Sequence, residues 1–357
     1  SLLLPPAALS ARTEDADLSD NPAITVAKTP VDTKTSGAAW LRSFSDKKIA
    51  YNSTPVFYNG LLYIASGNTL YECNTSDGSV LRTATLSASM DSVCYMTRQG
   101  DLLYLPLTGG CMQCIRLTDM ASVWTSESFG GQSLSHVTYA DGKIYAGATT
   151  KPSGTPTAGI FYCLDAADGH TVWTYENKEN PGGYYWSGSV VCQNYVYFTG
   201  DNGTLICHSK DTDEVIQSYT LTTSGKIRSD IFMDPETSSF YTASTDGKVH
   251  RFQIGADGSC QNFVSTDING RTPASVNCTS TPVVYNGRLY IGSIADGKGL
   301  LSVLNADTLE PVYHVTTGTY QEVKATPRVA TGTASTDKTG PLTIYFTCNA
   351  LPGALYY

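Results

Sequence analysis

Three consecutive aromatic residues, Tyr184, Tyr185 and Trp186, are the most distinctive candidate for ligand binding in this sequence. They follow two glycines and precede a predicted strand. Successive side chains of an extended chain point to opposite faces, so three aromatic residues in a row cannot all enter one core. At least one ring is expected to face solvent or a partner, where it would suit sugar stacking or peptide binding. The alternative is that all three rings pack on a neighbouring loop or on the N-terminal segment.

Charged residues occupy the corresponding connections elsewhere in the chain, each close to the start of a predicted strand. Beside exposed aromatic rings, such residues offer hydrogen-bond donors and acceptors to a sugar or a peptide. If two or more ionisable groups converged, they could instead perform acid–base catalysis. The charged residues predicted to bind a ligand or partner are Arg228, Asp230, Arg271, Glu322 and Lys324.

The cysteine and histidine residues favour packing over catalysis. Cys111 and Cys114 form a single CxxC pair, whereas a zinc ribbon needs two pairs and a redox-active pair needs a helix N-terminus or a nearby cation. The five histidines show no metal-ligand spacing, and neither a Gly-x-Ser-x-Gly elbow nor a phosphate-binding Gly-x-x-x-x-Gly-Lys-Ser/Thr loop occurs. We therefore expect no catalytic residue and no metal. A structural Ca²⁺ is the alternative for the Asp-rich turns, although they lack a complete calcium loop.

The connections that carry the candidate residues join the units of an internal repeat. Each unit begins with two apolar runs separated by a short polar turn, as in Thr54–Ser66, Val137–Ala148 and Thr281–Ser293. A turn such as Asn59-Gly60 favours a type I′ hairpin, because both residues tolerate a positive φ. A second hairpin pattern follows each first one, so each unit is predicted to contain four short antiparallel strands.

The second hairpins align without gaps and define three columns: a turn column, an aromatic column and a column of cysteines. The aromatic column is expected to pack between units, and the cysteines that recur at one position of successive units are expected to pack as small apolar residues. The turn column holds Gly78, Met120, Gly169, Asp213 and Leu309; the aromatic column holds Trp40, Trp124, Trp173 and Tyr313; the cysteines are Cys114, Cys163 and Cys207.

Seven such units follow one another at intervals of about 40–50 residues, the usual length of a four-stranded propeller blade. The seventh unit has three predicted strands, and Gly37–Phe44 is expected to supply the fourth. We therefore predict an all-β fold. It is a seven-bladed β-propeller of four-stranded antiparallel blades, and its ring is closed by an N-terminal strand that joins the last blade. Residues 1–36 are expected to be a linker or peripheral segment, and residues 37–357 a single propeller domain.

Composition excludes several functional classes. The chain has 23 basic and 32 acidic residues among 357, a net charge of −9, so nothing favours nucleic-acid binding. No apolar run approaches the roughly 20 residues that span a bilayer. The start, SLLLPPAALSA, is similar to the tail of a signal peptide, and the sequence is rich in Tyr, Ser, Thr, Gly and Asn. We expect an extracytoplasmic monomer, secreted or on the cell surface.

The repeat resembles that of the PQQ-like β-propeller family. The best matches are Thr54–Gly78, Phe161–Trp173 and Thr281–Ser293, and the resemblance extends over nearly everything from Gly37 onward. The family contains quinoprotein dehydrogenases, outer-membrane assembly scaffolds and secreted bacterial propellers without enzymatic activity. The resemblance is therefore specific for the fold and leaves the function open.

The same resemblance bears on cofactors. Quinoprotein enzymes of this family hold PQQ under a disulfide of two adjacent cysteines and on a Trp, with Ca²⁺ and a catalytic Asp nearby. This sequence has no adjacent cysteine pair, and its seven units differ from the eight blades usual in those enzymes. We therefore expect no cofactor, and neither PQQ nor calcium.

These observations favour a non-catalytic binding or scaffold propeller, with a glycan or protein partner on the top face around the axis. The alternative is an enzyme of the quinoprotein or carbohydrate-active type with its site on that face. Its first candidates are Arg228, Asp230, Glu322 and Lys324. A third hypothesis is a purely structural module that positions other domains.

Overall fold

A computed structural model describes residues 28–30, 55–90, 95–131, 133–149, 158–331, 342–349 and 354–356. All secondary structure in these ranges is strand and turn, and they contain no helix that could cross a membrane. The chain divides into two compact units. The first unit lies within Gly37–Tyr219, and the second combines the N-terminal strand with Thr220–Tyr357.

The first unit contains four antiparallel sheets, each built from four strands in chain order. Their strands are β2 (Val56–Tyr58), β3 (Leu61–Ser66), β4 (Thr69–Asn74) and β5 (Val80–Thr85); β6 (Thr97–Gln99), β7 (Leu102–Leu107), β8 (Cys111–Arg116) and β9 (Ala121–Thr125); β10 (Thr138–Ala140), β11 (Lys143–Thr149), β12 (Gly159–Asp165) and β13 (Thr171–Tyr175); and β14 (Val190–Cys192), β15 (Tyr195–Thr199), β16 (Thr204–Ser209) and β17 (Val215–Thr220).

The second unit contains three antiparallel sheets, of four, five and four strands. The strands of the first two are β18 (Phe232–Asp234), β19 (Ser239–Ser244), β20 (Lys248–Ile254) and β21 (Cys260–Asp267); and β22 (Val276–Asn277), β23 (Val283–Tyr285), β24 (Arg288–Ala295), β25 (Lys298–Asn305) and β26 (Pro311–Thr319). The third has β27 (Arg328–Thr331), β28 (Leu342–Cys348), β29 (Ala354–Tyr356) and β1 (Lys28–Pro30).

The predicted hairpin turns are confirmed. Asn59 has a φ of 47° and Gly60 a φ of 75°, as a type I′ turn requires, and Tyr58 pairs with Leu61 across the turn. In the predicted turn column of the second hairpins, φ is positive at Gly78, Met120, Gly169 and Leu309.

The last sheet receives its fourth strand from a different segment than the sequence predicts. The strand that pairs with β29 is β1, in the register Lys28↔Tyr356 and Pro30↔Ala354. The predicted strand, Gly37–Phe44, lies outside the described residues. Strand pairing needs only main-chain donors and acceptors, so a short segment without an apolar pattern can supply it. Pro30 lacks an N–H, which is tolerated because β1 is an edge strand.

Buried tyrosines on the second strand of six sheets form much of the core. Their exposed fraction is 2% or less, and two of them show why tyrosine suits this position better than phenylalanine. The Tyr145 hydroxyl donates to the Lys210 carbonyl in the next sheet (3.2 Å), and the Tyr241 hydroxyl donates to the Ala306 carbonyl in the next sheet (2.9 Å). Each ring fills the space between two sheets while its hydroxyl satisfies a main-chain acceptor. The six are Tyr63, Tyr104, Tyr145, Tyr197, Tyr241 and Tyr290.

The outer-strand tryptophans also join neighbouring sheets, as predicted for the aromatic column. Trp124 Nε1 donates to the Ala166 carbonyl (3.1 Å), and Trp173 Nε1 donates to the Lys210 carbonyl (3.3 Å). Gly169 lies against the Trp124 ring so closely that a Cβ there would be 2.4 Å from the indole. Trp40 lies outside the described residues.

Glycines let the connections between sheets cross the end of the sheet that they leave. A Cβ at Gly147 would lie 1.6 Å from the Tyr184 carbonyl oxygen, one at Gly292 2.4 Å from that of Val323, and one at Gly299 1.7 Å from that of Gln321. These distances are far below van der Waals contact, so only glycine fits. The glycines therefore set the path of the connections that carry the candidate binding residues.

Replacing Gly299 with alanine tests this packing. We expect Gly299→Ala to lower the free energy of unfolding by roughly 1–3 kcal/mol, because the added methyl group forces the 320–324 connection away from the sheet. Gly255→Ala is the matched control, since a Cβ there would meet only side-chain ends, the nearest at 2.9 Å (Asp257 Oδ1). Denaturant unfolding measures both variants, and equal stability for the two would contradict the close crossing.

A buried hydrogen-bonded chain crosses the sheet β18–β21. The Ser244 hydroxyl donates to Asp246, His250 Nε2 lies 2.9 Å from the Ser244 Oγ, and His250 Nδ1 lies 2.7 Å from the Ser265 Oγ. Because Ser244 donates to the carboxylate, it accepts from His250, which places the imidazole proton on Nε2 and leaves Nδ1 to accept from Ser265. Burial, opposed by Asp246 and assisted by Lys248, lowers the pKa of His250 to about 4, so the ring stays neutral.

This network predicts how stability depends on pH. The unfolded chain binds a proton at His250 near pH 6.5, whereas the folded chain does so only near pH 4, so stability decreases as the pH falls between these values. From pH 7 to pH 5, His250 is expected to contribute a loss of roughly 2 kcal/mol.

The measurement is urea unfolding at both pH values. His250→Gln should reduce the loss, and His170→Gln, which removes an exposed imidazole, should not. An identical pH dependence in wild type and His250→Gln would exclude a buried neutral His250.

Candidate functional site

The structure buries two of the three consecutive aromatic residues. Tyr184 is 1% exposed, and its ring meets the rings of Tyr175 and Phe198 edge-on, with centroids 5.5 and 5.4 Å apart. Its hydroxyl accepts from Asn202 Nδ2 at 3.3 Å. Tyr184 therefore fills the space between two sheets of the first unit and offers no ring to a ligand.

Tyr185 is also buried, and only Trp186 keeps partial exposure. Tyr185 is 5% exposed, and its carbonyl accepts from the Leu134 N–H at 2.9 Å. The Tyr185 and Trp186 rings lie with centroids 5.6 Å apart. Tyr184 therefore packs against strands, and both Tyr184 and Tyr185 are buried within the first unit.

The second unit exposes an aromatic ring that the predicted site did not include. Tyr320 directly follows β26 and is 78% exposed. Its N–H donates to the Gly297 carbonyl at 2.7 Å, and a Cβ at Gly297 would lie 3.6 Å from Tyr320 Cε1. One side of the ring therefore lies against the β24–β25 turn.

The main chain at Tyr320 is strained. Its φ is 55°, in the left-handed region that costs an ordinary L-residue roughly 1–2 kcal/mol. Strained, exposed residues are concentrated at functional sites, so this geometry itself supports a functional hypothesis.

An ion pair lies at the same turn. Arg271 Nη2 is 2.8 Å from Asp296 Oδ2, and Asp296 Oδ1 accepts from the Ser275 N–H at 3.1 Å. The Ser275 N–H and the Arg271 guanidinium hold the pKa of Asp296 below its usual value. Asp296, at a φ of 48°, and Gly297, at 77°, form the turn between β24 and β25.

A second charged pair lies on the connection after β26. Glu322 Oε1 accepts from Asn277 Nδ2 at 2.7 Å, and Glu322 Oε2 is 3.4 Å from Lys324 Nζ. The Glu322 carbonyl accepts from the Asn349 N–H at 2.7 Å. The Glu322 side chain is 13% exposed and that of Lys324 52% exposed, so the cation is the more accessible member of the pair.

The strand pairing brings the segments that carry these groups to one end of the sheet. Val276 pairs with Ala295 and Asn277 with Ile294, which brings the segment before β22 to the end of β24. Lys298 pairs with Thr319, which brings the end of β26 to the start of β25. We call the resulting group the Tyr320 surface; its residues are Arg271, Asp296, Tyr320, Glu322 and Lys324.

Three of the eight predicted residues, Arg271, Glu322 and Lys324, belong to the Tyr320 surface. Arg228 and Asp230 are half-buried on either side of Ser229, before β18, and the Asp230 N–H donates to Thr281 Oγ1 at 3.0 Å. Tyr184, Tyr185 and Trp186 belong to the other unit.

Tyr320 and Asp296 were missed by the sequence analysis, although each carries a signal. Asp296-Gly297 is a turn dipeptide between two long strands. Tyr320 lies in a connection whose charged members were selected and whose aromatic member was not.

The charged groups of the Tyr320 surface hold one another in place. Each carboxylate contacts a cation and a hydrogen-bond donor, so its lone pairs already hold neighbouring groups in place. Within the described ranges, no three His, Cys, Asp or Glu side chains approach closely enough to hold a metal ion.

The CxxC pair lacks the environment of a redox site. Cys111 and Cys114 lie in strand β8, and burial raises the pKa of Cys114 to about 12. Burial likewise raises the pKa of Cys163 and Cys278 to about 12. A thiolate is the reactive form, so these thiols are inert at neutral pH.

A family model described as outer membrane protein assembly factor BamB matches residues 156–292 of the chain. The structure of BamB from Moraxella catarrhalis is similar, with a TM-score of 0.58 and 15% identity over 89% of this chain and 84% of that one. This match, over 156–292 alone, and the structural likeness support the predicted resemblance to the PQQ-like β-propeller repeat. Two further solved structures are similar to this chain in fold.

One is a europium-containing methanol dehydrogenase, with a TM-score of 0.59 and 10% identity over 84% of this chain and 73% of the enzyme. The other is the computationally designed Ika8 protein, with a TM-score of 0.54 and 12% identity over 87% of this chain and 98% of the design. A comparison with curated proteins found no match. At these identities the structural likeness concerns the PQQ-like fold alone, because a scaffold, an enzyme and a design share it.

Thiol reactivity tests the structural role of the cysteines. In the native protein, we expect iodoacetamide to label Cys111 and Cys192, which are partly buried, and to leave Cys114, Cys163 and Cys278 unlabelled until the chain unfolds. Peptide mass spectrometry before and after denaturation measures this. Rapid native labelling of Cys114, or its recovery in a disulfide after unfolding, would contradict a buried free thiol.

Proposed function

We propose that the chain is a non-catalytic binding protein that takes a glycan or protein partner on the Tyr320 surface. The observation that carries this proposal is the geometry of Tyr320, an aromatic ring that is 78% exposed on a strained main chain. Neither burial nor backbone preference accounts for a tyrosine there, whereas recognition of a partner does.

The ionisable groups beside Tyr320 support binding rather than catalysis. Asp296 is held by Arg271 and by the Ser275 N–H, and Glu322 by Asn277 and Lys324. A general acid or base needs a proton that it can exchange with a substrate, and a carboxylate committed to fixed donors is poorly suited to that role.

The alternative is an enzyme of the quinoprotein or carbohydrate-active type. The observation that favours it is the structural likeness to the methanol dehydrogenase. The residues of this chain do not fit the PQQ arrangement of such enzymes. The sequence contains no adjacent cysteines, and Cys111 and Cys114, the nearest pair, are free thiols in one strand. We therefore propose that the chain works without PQQ or calcium.

We further propose that the seven sheets are the blades of one closed propeller, with β1 closing the ring through its pairing with β29. The protein is proposed to be a monomer in an extracytoplasmic compartment. The match to a family model named for outer-membrane protein assembly supports this location.

Site-specific photo-cross-linking tests the binding surface. A diazirine amino acid at Lys298, which is exposed beside Asp296, should give a reproducible adduct with a protein or glycan in an extract of the source cells. The same probe at Asp257, on the exposed β20–β21 hairpin of the same unit, is the control. Equal adducts at both positions, or none at Lys298, would contradict the proposed surface.

A separate assay tests the absence of catalysis. PQQ with Ca²⁺ should leave the thermal midpoint of the purified chain unchanged and should give no alcohol-dependent reduction of an electron-accepting dye. A ligand that binds only the folded state raises the midpoint, so an increase together with dye reduction would establish the enzyme alternative.

A further inference from the structure

We propose that the ligand of the Tyr320 surface is an acidic glycan, in which a pyranose ring stacks on Tyr320 and a uronate carboxylate binds Arg271, with Lys324 as a second cation of the surface. This inference rests on the proposed binding function and adds the class of the ligand.

The stacking platform is the outer side of the Tyr320 ring. The ring lies near Gly297, where an added Cβ would be 3.6 Å from Tyr320 Cε1, and the Tyr320 side chain is 78% exposed. The N–H of Tyr320 is bonded to the Gly297 carbonyl at 2.7 Å, which fixes the residue at the turn. A supported ring with an open side suits the apolar face of a sugar.

The accessible charge around this ring is positive. Arg271 is 61% exposed against 31% for its partner Asp296, and Lys324 is 52% exposed against 13% for its partner Glu322. Lys298, next to the turn, is also exposed. Although the chain has a net charge of −9, it presents exposed cations near the turn at Tyr320, the most exposed large hydrophobic side chain among the described residues. An approaching ligand meets these cations first, so a carboxylate is favoured.

The guanidinium of Arg271 has donors left for such a carboxylate. Arg271 contacts Asp296 through Nη2. A guanidinium carries five N–H donors in a planar fork. Arg271 can thus keep its contact with Asp296 and bind a second carboxylate, while Lys324 contributes a point charge.

The main chain at this surface disfavours an extended peptide as the ligand. Ala295 pairs with Lys298 across the turn, Lys298 also pairs with Thr319, and Val276 pairs with Ala295 on the other side. A peptide that adds a strand needs free main-chain donors and acceptors at a sheet edge. Here side chains supply the recognition, as is usual for sugars.

The test uses hexasaccharides of defined chemistry. The acidic probes are oligogalacturonate, oligomannuronate and hyaluronan, and fully methyl-esterified oligogalacturonate is the neutral counterpart. Isothermal titration calorimetry should show binding of at least one acidic probe, with an affinity that falls as salt rises. The esterified probe should bind at least roughly tenfold more weakly if its free acid is the ligand.

Two variants test separately the contribution of the Tyr320 ring and that of the Arg271 charge to binding. Tyr320→Gly removes the ring and relieves the strained φ, so it should fold at least as well as the wild type and lose roughly tenfold or more in affinity. Arg271→Ala should reduce the preference for the acid over its ester. The matched controls are Tyr345→Ala, an exposed tyrosine on β28, and Arg288→Ala, an arginine at the opposite end of β24; neither should change binding.

The outcomes distinguish failure of the acidic-glycan inference from failure of the proposed binding function. Equal binding of acid and ester would overturn the role of the carboxylate, and binding that survives Tyr320→Gly would overturn the stacking platform. If no acidic probe binds while Lys298 still cross-links to a protein, the binding function stands and the glycan ligand is wrong. If Lys298 also gives no adduct, both proposals fail.

Discussion

Hydrogen bonds from buried aromatic side chains to main-chain carbonyls of the next sheet are the interaction on which the rest of this structure depends. Four short strands cannot bury both faces of a sheet by themselves. In the first unit, the Lys210 carbonyl accepts from both Tyr145 and Trp173, and Lys210 Nζ lies 2.7 Å from Asp141 Oδ2. One turn thus receives donors from two strands of the preceding sheet and donates to a hairpin of that sheet. At Tyr241, phenylalanine would fill the same space but would remove the donor to the Ala306 carbonyl, at a cost of about 1–3 kcal/mol.

This sheet-to-sheet packing determines where the connections run, and the connections determine which side chains can meet a ligand. Tyr184 crosses Gly147 in the third sheet just as Val323 crosses Gly292 in the sixth. Both residues are essentially fully buried, so at these two crossings the side chain points inward. An aromatic residue at that position becomes part of the core. Tyr320, three residues before its crossing point, lies beyond the edge of the sheet and remains exposed.

The sequence predicts most of the repeat because its turns and columns depend on local chemistry. Asn59-Gly60 and the left-handed position of Met120 follow from the alignment alone. The N-terminal strand was beyond such reasoning, since β1 pairs through its main chain and carries no apolar pattern. Predicting which site residues are buried requires a comparison of equivalent positions in the connections between units. Tyr184 and Val323 each lie three residues before the start of a unit, so the alignment contained the signal that Tyr184 is buried. The contacts of Arg271 with Asp296, by contrast, depend on pairing that no spacing in the sequence reveals.

The strained tyrosine is the feature that a purely structural account explains least well. Glycine would adopt a φ of 55° without cost, and the neighbouring turn uses Gly297 in that way. Tyrosine at position 320 costs about 1–2 kcal/mol in backbone strain. The 78% exposure shows that burial of the ring does not offset this cost. A chain that is stable only by a small margin keeps such a residue when something outside the fold uses it. The hydrogen bond from the Tyr320 N–H to the Gly297 carbonyl then has a purpose, because a residue held in place loses little freedom when a partner stacks on its ring.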